Sequence, residues 1–217
     1  MSGAGWNLKI GEMNIYVDYQ EALIHFFSKG NIMKNLYKLL LLKSILEIEE
    51  TKDNVLYNVA INFAELYFLY KTKYPVNITI YNGVSEKSTL DVKVEEIYAE
   101  KIYDYEKISV KDKELYINEA REVLKKNVIG AFYTSLKKVP YSFDIKYENL
   151  KLNRDFKRFL DRNRENLEEI IELRIIEFLK ISEKNKEVLE NILGSKGFSK
   201  ETDYYVEINK RIHELVY

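Results

Sequence analysis

Residues 35–48 read NLYKLLLLKSILEI, and this stretch decides the fold. One helix face is marked by apolar residues at helical spacing, namely Leu36, Leu39, Leu40 and Leu46. Three more apolar residues widen that face, namely Leu41, Leu42 and Ile45. A helix with so broad an apolar face packs against other elements on several sides. The stretch therefore predicts a helix over residues 31–50 that lies at the centre of the core.

The segments around this helix predict further helices and a few short strands. A second helix is predicted from Asp53 or Asn54 to about Tyr70. The other predicted helices cover 21–27, 94–105, 114–136, a short stretch from 153 or 154, 165–181, 183–193 and a last segment to 217. Extended segments are predicted over 8–19, 76–81 and 141–147, with a turn at Asn82-Gly83.

The composition agrees with a helix-rich chain, because 8 glycines and 2 prolines in 217 residues allow few sharp loops. The expected fold class is α+β, mostly helical with a small antiparallel sheet. No low-complexity linker interrupts the sequence. We therefore expect a single domain over residues 1–217, with a soft internal boundary near 104–112.

Composition also excludes several classes of function. The chain has no cysteine, so disulfides, thiolate zinc sites and cysteine nucleophiles are excluded. It has two histidines, His25 and His213, too few for a histidine-rich metal site. No apolar run approaches the roughly 18 residues that a membrane span needs, and the N-terminus lacks signal-peptide features. These features predict a cytoplasmic protein with no membrane partner.

Charge is unevenly distributed, although the net charge is only −1. Residues 151–164 carry a net charge of +4, and residues 165–190 carry −4. Arginines at 154, 158 and 162 fall on one helix face, an arrangement that suits a row of phosphate contacts. The alternative is a solvated face whose arginines pair with the following glutamates. The predicted DNA-binding residues are Lys137, Lys138, Arg154, Lys157, Arg158, Arg162 and Arg164.

Three stretches resemble the N-terminal region of bacterial HNH endonucleases of restriction and defence systems. They are residues 35–48, residues 56–77 (LYNVAINFAELYFLYKTKYPVN) and residues 137–181, which begin KKVPYSFDI. The resemblance covers about two-thirds of the chain in order and consists of apolar and aromatic spacing. It implies a helical region that engages DNA and assembles the complex, followed in that family by a zinc-stabilised HNH module.

The chain departs from that family where catalysis would lie. An HNH module needs histidines as general base and metal ligand, whereas His213 has no partner histidine here. The resemblance therefore implies a DNA-binding or assembly module without a complete active site of its own, and no cofactor. The expected partners are double-stranded DNA and either a separate nuclease subunit or a second copy of the chain.

A second hypothesis is a small Mg²⁺-dependent, Type II-like restriction endonuclease that acts as a homodimer. Such enzymes place acidic metal ligands and a lysine at the ends of adjacent strands. Two D-x-K strings supply the candidate catalytic residues, which are Asp91 with Lys93 and Asp144 with Lys146. Asp91 or Asp144 would then hold the metal, helped by Glu65 for the first and by Glu119 or Glu122 for the second. A third hypothesis is a protein-binding subunit or inhibitor in a phage-conflict system.

Overall fold

The computed structural model describes residues 6–31, 33–49, 55–75, 78–81, 84–197 and 204–217. Within these ranges the helices are α1 (Tyr19–Phe27), α2 (Tyr37–Leu46), α3 (Val55–Lys73), α4 (Thr89–Ala99), α5 (Val110–Val123), α6 (Ile129–Ser135), α7 (Arg154–Arg162), α8 (Arg164–Leu179), α9 (Glu183–Gly197) and α10 (Tyr204–His213). Two antiparallel hairpins accompany them, β1 (Thr79–Tyr81) with β2 (Val84–Glu86) and β3 (Tyr141–Asp144) with β4 (Asn149–Leu152). The prediction of a mostly helical α+β fold is confirmed.

Helix α2 is the centre of the core, as its broad apolar face predicts. Nine of its ten residues are buried, and it packs against α3, α6, α7 and α8. The helix begins at Tyr37 and not near residue 31, because residues 34–36 pair with the β1 segment instead. The Leu36 amide donates to the Ile78 carbonyl at 3.2 Å, and the Ile80 amide donates to the Lys34 carbonyl at 2.7 Å.

Two predictions of helix starts are wrong, because each overlooked a serine cap. The helix predicted from residue 94 begins at Thr89, because Ser88 Oγ caps it by accepting from the Asp91 amide at 3.1 Å. The helix predicted from residue 114 begins at Val110, because Ser109 caps it in the same way. A π-helical turn at Leu124–Val128 separates α5 from α6, which were predicted as one helix over 114–136.

The N-terminal segment is not the predicted strand or hairpin over 8–19. It contains a 3₁₀ turn at Ile10–Glu12, followed by α1, whose first turn is capped by Asp18. The apparent alternation misled the prediction because Ile10 and Ile15 are 57% and 60% exposed and do not mark a buried face.

Trp6 and Leu8 attach the N-terminal segment to the rest of the fold. Leu8 exchanges backbone hydrogen bonds of 2.7 and 2.8 Å with Phe143 of β3. The Trp6 indole lies directly on Gly130 of α6, and a Cβ atom at position 130 would overlap the ring. Gly130 is therefore required for the close approach of the ring to the helix.

The region of the suggested boundary, 104–112, holds a 3₁₀ turn at Tyr105–Lys107 and the start of α5. Tyr105 packs on Phe68 of α3 with ring centroids 5.7 Å apart, and α5 itself packs along α3. The single-domain organisation stays a prediction. None of the helices in the described ranges combines the length and the apolar character that crossing a bilayer requires.

Candidate nucleic-acid interface

Helix α7 begins at a cap that attaches it to the segment after α6. Asn153 Oδ1 accepts from the amides of Asp155 and Phe156 at 3.1 and 3.3 Å, as an N-cap side chain does. The same residue donates from its backbone amide to the Pro140 carbonyl at 2.8 Å and from Nδ2 to the Val139 carbonyl at 3.1 Å. The start of α7 is therefore fixed against residues 139–140.

The two sides of α7 differ sharply in character. Phe156, Phe159 and Leu160 are buried in the core. Arg154, Arg158 and Arg162 are all exposed, and their spacing of four residues places them on one face. Arg158 lies 3.6 Å from an oxygen of Asp155. No carboxylate of the described residues lies within ion-pairing distance of Arg154 or Arg162. The predicted arginine row therefore faces solvent.

Lys137 and Lys138 lie in the turn that follows α6, both with left-handed backbone (φ of 51° and 66°). Lys137 forms an ion pair with Glu21 of α1. Lys138 is exposed, and the next residue, Val139, accepts the hydrogen bond from Asn153. Lys138 therefore lies beside the first turn of α7. We call Lys138, Arg154, Arg158 and Arg162 the basic face.

Besides Lys137, which pairs with Glu21, two more predicted phosphate contacts lie outside the basic face. Lys157 is 2% exposed, with its ammonium hydrogen-bonded to Asp161 and 3.5 Å from the Leu46 carbonyl at the end of α2. Arg164 donates to the same carbonyl and pairs with Glu47 at 3.1 Å. Both cations interact favourably with the negative end of the α2 dipole. Lys157 is out of reach of a phosphate, so we withdraw the prediction that it binds DNA. Arg164 is already bonded to the Leu46 carbonyl and to Glu47.

The first D-x-K pair does not have the geometry of a metal-dependent nuclease. Asp91 and Lys93 lie in helix α4 and not at the end of a strand, so side chains two residues apart point to different sides. Asp91 is fully buried, with Oδ2 accepting from the Ser88 amide at 2.8 Å and Oδ1 2.9 Å from the Lys71 ammonium. Lys93 pairs outside with Glu96 at 2.7 Å. Both carboxylate oxygens of Asp91 are engaged within the fold, one by the Ser88 amide and the other by Lys71, so neither is available to bind a metal ion.

The second D-x-K pair closes the β3–β4 hairpin. Asp144 Oδ1 accepts from the amides of Lys146 and Tyr147 at 2.9 and 3.2 Å, which makes it a turn-forming residue. The Lys146 ammonium lies 5.1 Å from the Tyr147 ring centroid and is exposed. One acid proposed to assist it, Glu122, pairs with Lys125 and Lys126. In the part of the chain that the structure describes, no three metal-ligating side chains gather into a group.

A cleft of about 540 Å³ between α2, α3, α8 and α10 was missed by the sequence reasoning. Glu172 on its wall lies 3.4 Å from Lys43 and 3.1 Å from Lys73, and it accepts a hydrogen bond from Tyr70. Burial raises the pKa of Glu172, but the Tyr70 hydrogen bond and the two lysine charges outweigh burial and lower it. Arg211, the remaining cation of the cleft, pairs with Glu169 and Glu207. The charges of the cleft therefore compensate one another and favour a structural role.

A buried lysine was also missed, because nothing in its local pattern distinguishes it. The Lys38 ammonium donates to Asn31 Oδ1 at 2.7 Å and to Ser135 Oγ at 3.0 Å. Burial, and next the charge of Arg174, lower the pKa of Lys38 to about 8. Arg174 itself is 3% exposed, and its Nε and Nη1 have no hydrogen-bond partner among the described residues.

This lysine predicts a pH-dependent stability. Between pH 8 and 10.5 the unfolded chain keeps the Lys38 proton that the folded protein releases, so the free energy of unfolding rises with pH across that window. The full effect is about 3 kcal/mol. In urea unfolding from pH 7 to 9.5, we expect the free energy of unfolding of the wild type to rise relative to that of Lys38→Met as pH rises. Lys111→Met, on an exposed position of α5, is the control and should show a constant difference.

Comparison of the chain with protein-family models, with curated proteins and with solved structures finds no match in any of the three. The functional conclusion therefore depends on the residues themselves, and the basic face is the candidate whose cations are all exposed to solvent.

Proposed function

We propose that the chain binds double-stranded DNA through the basic face, contacting phosphates and not carrying a complete active site of its own. In this proposal it is the DNA-binding or assembly part of an HNH-nuclease-like restriction or phage-defence system in the cytoplasm. Its partner there is a separate nuclease subunit or a second copy of the chain. Mg²⁺ has no role in the proposed activity.

The observation that carries the proposal is the exposed arginine row of α7. Successive arginines are about 6 Å apart along the helix axis, since each residue adds 1.5 Å. The planar guanidinium group of arginine donates two parallel hydrogen bonds to a phosphate. Lys138 is exposed and lies near the start of the helix, where Asn153 bonds to the residue after it. The overall charge of −1 makes this local surface, and not the whole molecule, the source of attraction.

The test is fluorescence anisotropy with a labelled 20-base-pair duplex at several salt concentrations. We expect wild-type affinity to fall steeply with salt, because each phosphate contact releases counterions. The double variant Arg158→Ala/Arg162→Ala should bind about tenfold more weakly and lower the salt slope by about 2. Both side chains are exposed, so the variant should fold normally.

The matched control is Lys111→Ala/Lys184→Ala, which removes two exposed charges from other helices. It should leave DNA affinity within about twofold of the wild type, as surface charges distant from the contact do. Equal weakening by both double variants would contradict the basic face. The same duplex incubated with Mg²⁺ should remain intact, and cleavage would contradict the absence of an active site.

A further inference from the structure

Two cationic side chains are buried where α2 packs against α8. Arg174 of α8 is 3% exposed, and Lys38 of α2 is 9% exposed. Burial, and next the charge of Arg174, lower the pKa of Lys38, so the two groups lie within electrostatic reach of each other. A guanidinium group is not deprotonated in proteins, so burial does not remove the charge of Arg174. The interior therefore holds one permanent positive charge with a second ionisable group beside it.

The carboxylates of the described residues do not neutralise the charge of Arg174. None of them lies within ion-pairing distance of its guanidinium group, and Nε and Nη1 of that group have no hydrogen-bond partner among the described residues. Glu177, one turn further along α8, pairs with Lys180 at 3.2 Å. A buried charge without a partner lowers the stability of a protein by several kcal/mol. The site therefore favours a ligand that supplies negative charge and hydrogen-bond acceptors.

A tyrosine ring connects the buried guanidinium group to the surface. The Arg174 guanidinium carbon and the Lys29 ammonium each lie 4.9 Å from the centroid of the Tyr205 ring. Tyr205 is half-buried, and Lys29 is exposed. Lys29 also belongs to the segment after α1 that contains Asn31, whose Oδ1 accepts from Lys38 at 2.7 Å. The three cations therefore lie around one region, which we call the cation cluster (Lys29, Lys38 and Arg174).

We propose that the cation cluster is an anion site that binds a phosphate group. Arginine donates directional hydrogen bonds to phosphate oxygens, and lysine contributes a compact charge, so the two together are suited to this ligand. Phosphate would accept from Arg174 and supply the negative charge that the described carboxylates do not. The ligand is the free phosphate ion or the phosphate of a nucleoside monophosphate, because both present the same group. The basic face contributes no residue to this site, so the proposal does not rest on DNA binding.

The first experiment uses the wild type alone. Thermal unfolding is followed by circular dichroism in sodium phosphate and in sodium chloride of equal ionic strength. We expect about 10 mM phosphate to raise the Tm by about 5 °C over chloride, because a ligand that binds only the folded state stabilises it. Isothermal titration calorimetry should show a single saturable site. In the same titration, a lower Kd for AMP than for phosphate assigns a nucleotide ligand, and a higher Kd assigns the free ion.

Variants test which residues form the site. Arg174→Met should lose the stabilisation by phosphate, and without phosphate it should be at least as stable as the wild type, because it removes a buried charge that lacks a counter-charge. Lys38→Met should weaken phosphate binding by about tenfold, as expected for the loss of a buried charged contact. The controls are Lys111→Met on α5 and the double variant Arg158→Ala/Arg162→Ala of the basic face. Both should keep the wild-type response to phosphate.

Three results would overturn the anion site. The first is an equal Tm in phosphate and chloride with no saturable binding to the wild type, a result that needs no variant. The second is a phosphate response that Arg174→Met retains, since the effect would then be that of phosphate salts on proteins in general. If Arg174→Met does not fold, unchanged phosphate affinity in Lys38→Met overturns the site instead. The third is a response lost only in the basic-face double variant, which would place the phosphate on α7. Because no measurement uses DNA, failure here leaves the proposed function standing.

Discussion

Replacing Asp91 with alanine is expected to lower the free energy of unfolding by about 3–5 kcal/mol, because it leaves a buried ammonium without its counter-charge. The carboxylate is fully buried, and the Lys71 ammonium lies 2.9 Å from it with a side chain only 7% exposed. The substitution also removes half of the capping box with Ser88, and thus an acceptor for the Ser88 amide. A loss of this size is a large part of the stability of an ordinary domain.

Urea unfolding followed by far-UV circular dichroism measures this loss. Lys93→Ala is the control, since Lys93 belongs to the same D-x-K string but its partner Glu96 is 58% exposed at the side chain. Its effect should stay within about 0.5 kcal/mol. Asp91→Ala with wild-type stability would contradict the structural role and would reopen the nuclease hypothesis for this residue.

Replacing Lys157 with alanine is expected to lower the free energy of unfolding by about 2–4 kcal/mol, close to the cost of truncating a long core side chain. Its stem is buried, and its ammonium is hydrogen-bonded to Asp161 and lies near the carbonyl that ends α2. Arg158→Ala, one position further on the same helix but exposed, should change stability by about 0.5 kcal/mol or less. We therefore expect Lys157 to contribute to stability and Arg158 to contribute to DNA affinity, although the two are neighbours in one helix.

A second readout distinguishes the two roles. Lys157→Met keeps most of the buried stem and removes only the charge, so its DNA affinity should remain within about twofold of the wild type. Arg158→Ala should retain its stability and lose affinity. If Lys157→Met weakened DNA binding as much as Arg158→Ala does, Lys157 would belong to the interface despite its burial.

Local pattern was enough to predict the central helix but not where it begins. The run of apolar residues from Leu36 to Leu46 can be read directly from the sequence. The start at Tyr37 depends on pairing between residues 34–36 and 78–80, which lie more than 40 residues away. Such a pairing leaves no periodic signal in either segment, so the helix was predicted six residues too early.

The nuclease interpretation of the Asp91 D-x-K string failed for a different reason. A signal for the true role of Asp91 was present, since serine three residues before an acid marks a helix start. The D-x-K interpretation assigned the same acid to a metal site instead. The partner of the carboxylate, Lys71, comes from another helix and could not be read from the spacing.

The basic face was predicted in part. The spacing of Arg154, Arg158 and Arg162 was sufficient to place them together, because that argument needs only the helix itself. Lys157 was included by charge, and its burial depends on the end of α2, which packs against the inner side of α7.

The attachment of Trp6 to Gly130 has a spectroscopic consequence, since the chain has a single tryptophan. Its emission reports whether residues 6–8 are docked on α6 and β3, whereas circular dichroism reports the helices. The segment is attached by the Trp6–Gly130 contact, the two Leu8–Phe143 hydrogen bonds and the burial of Leu8, and we expect it to open at a lower free energy than the central helices. Tryptophan emission is therefore a local reporter for this protein, and a fluorescence transition that precedes the loss of helix would mark undocking of the segment, not unfolding of the domain.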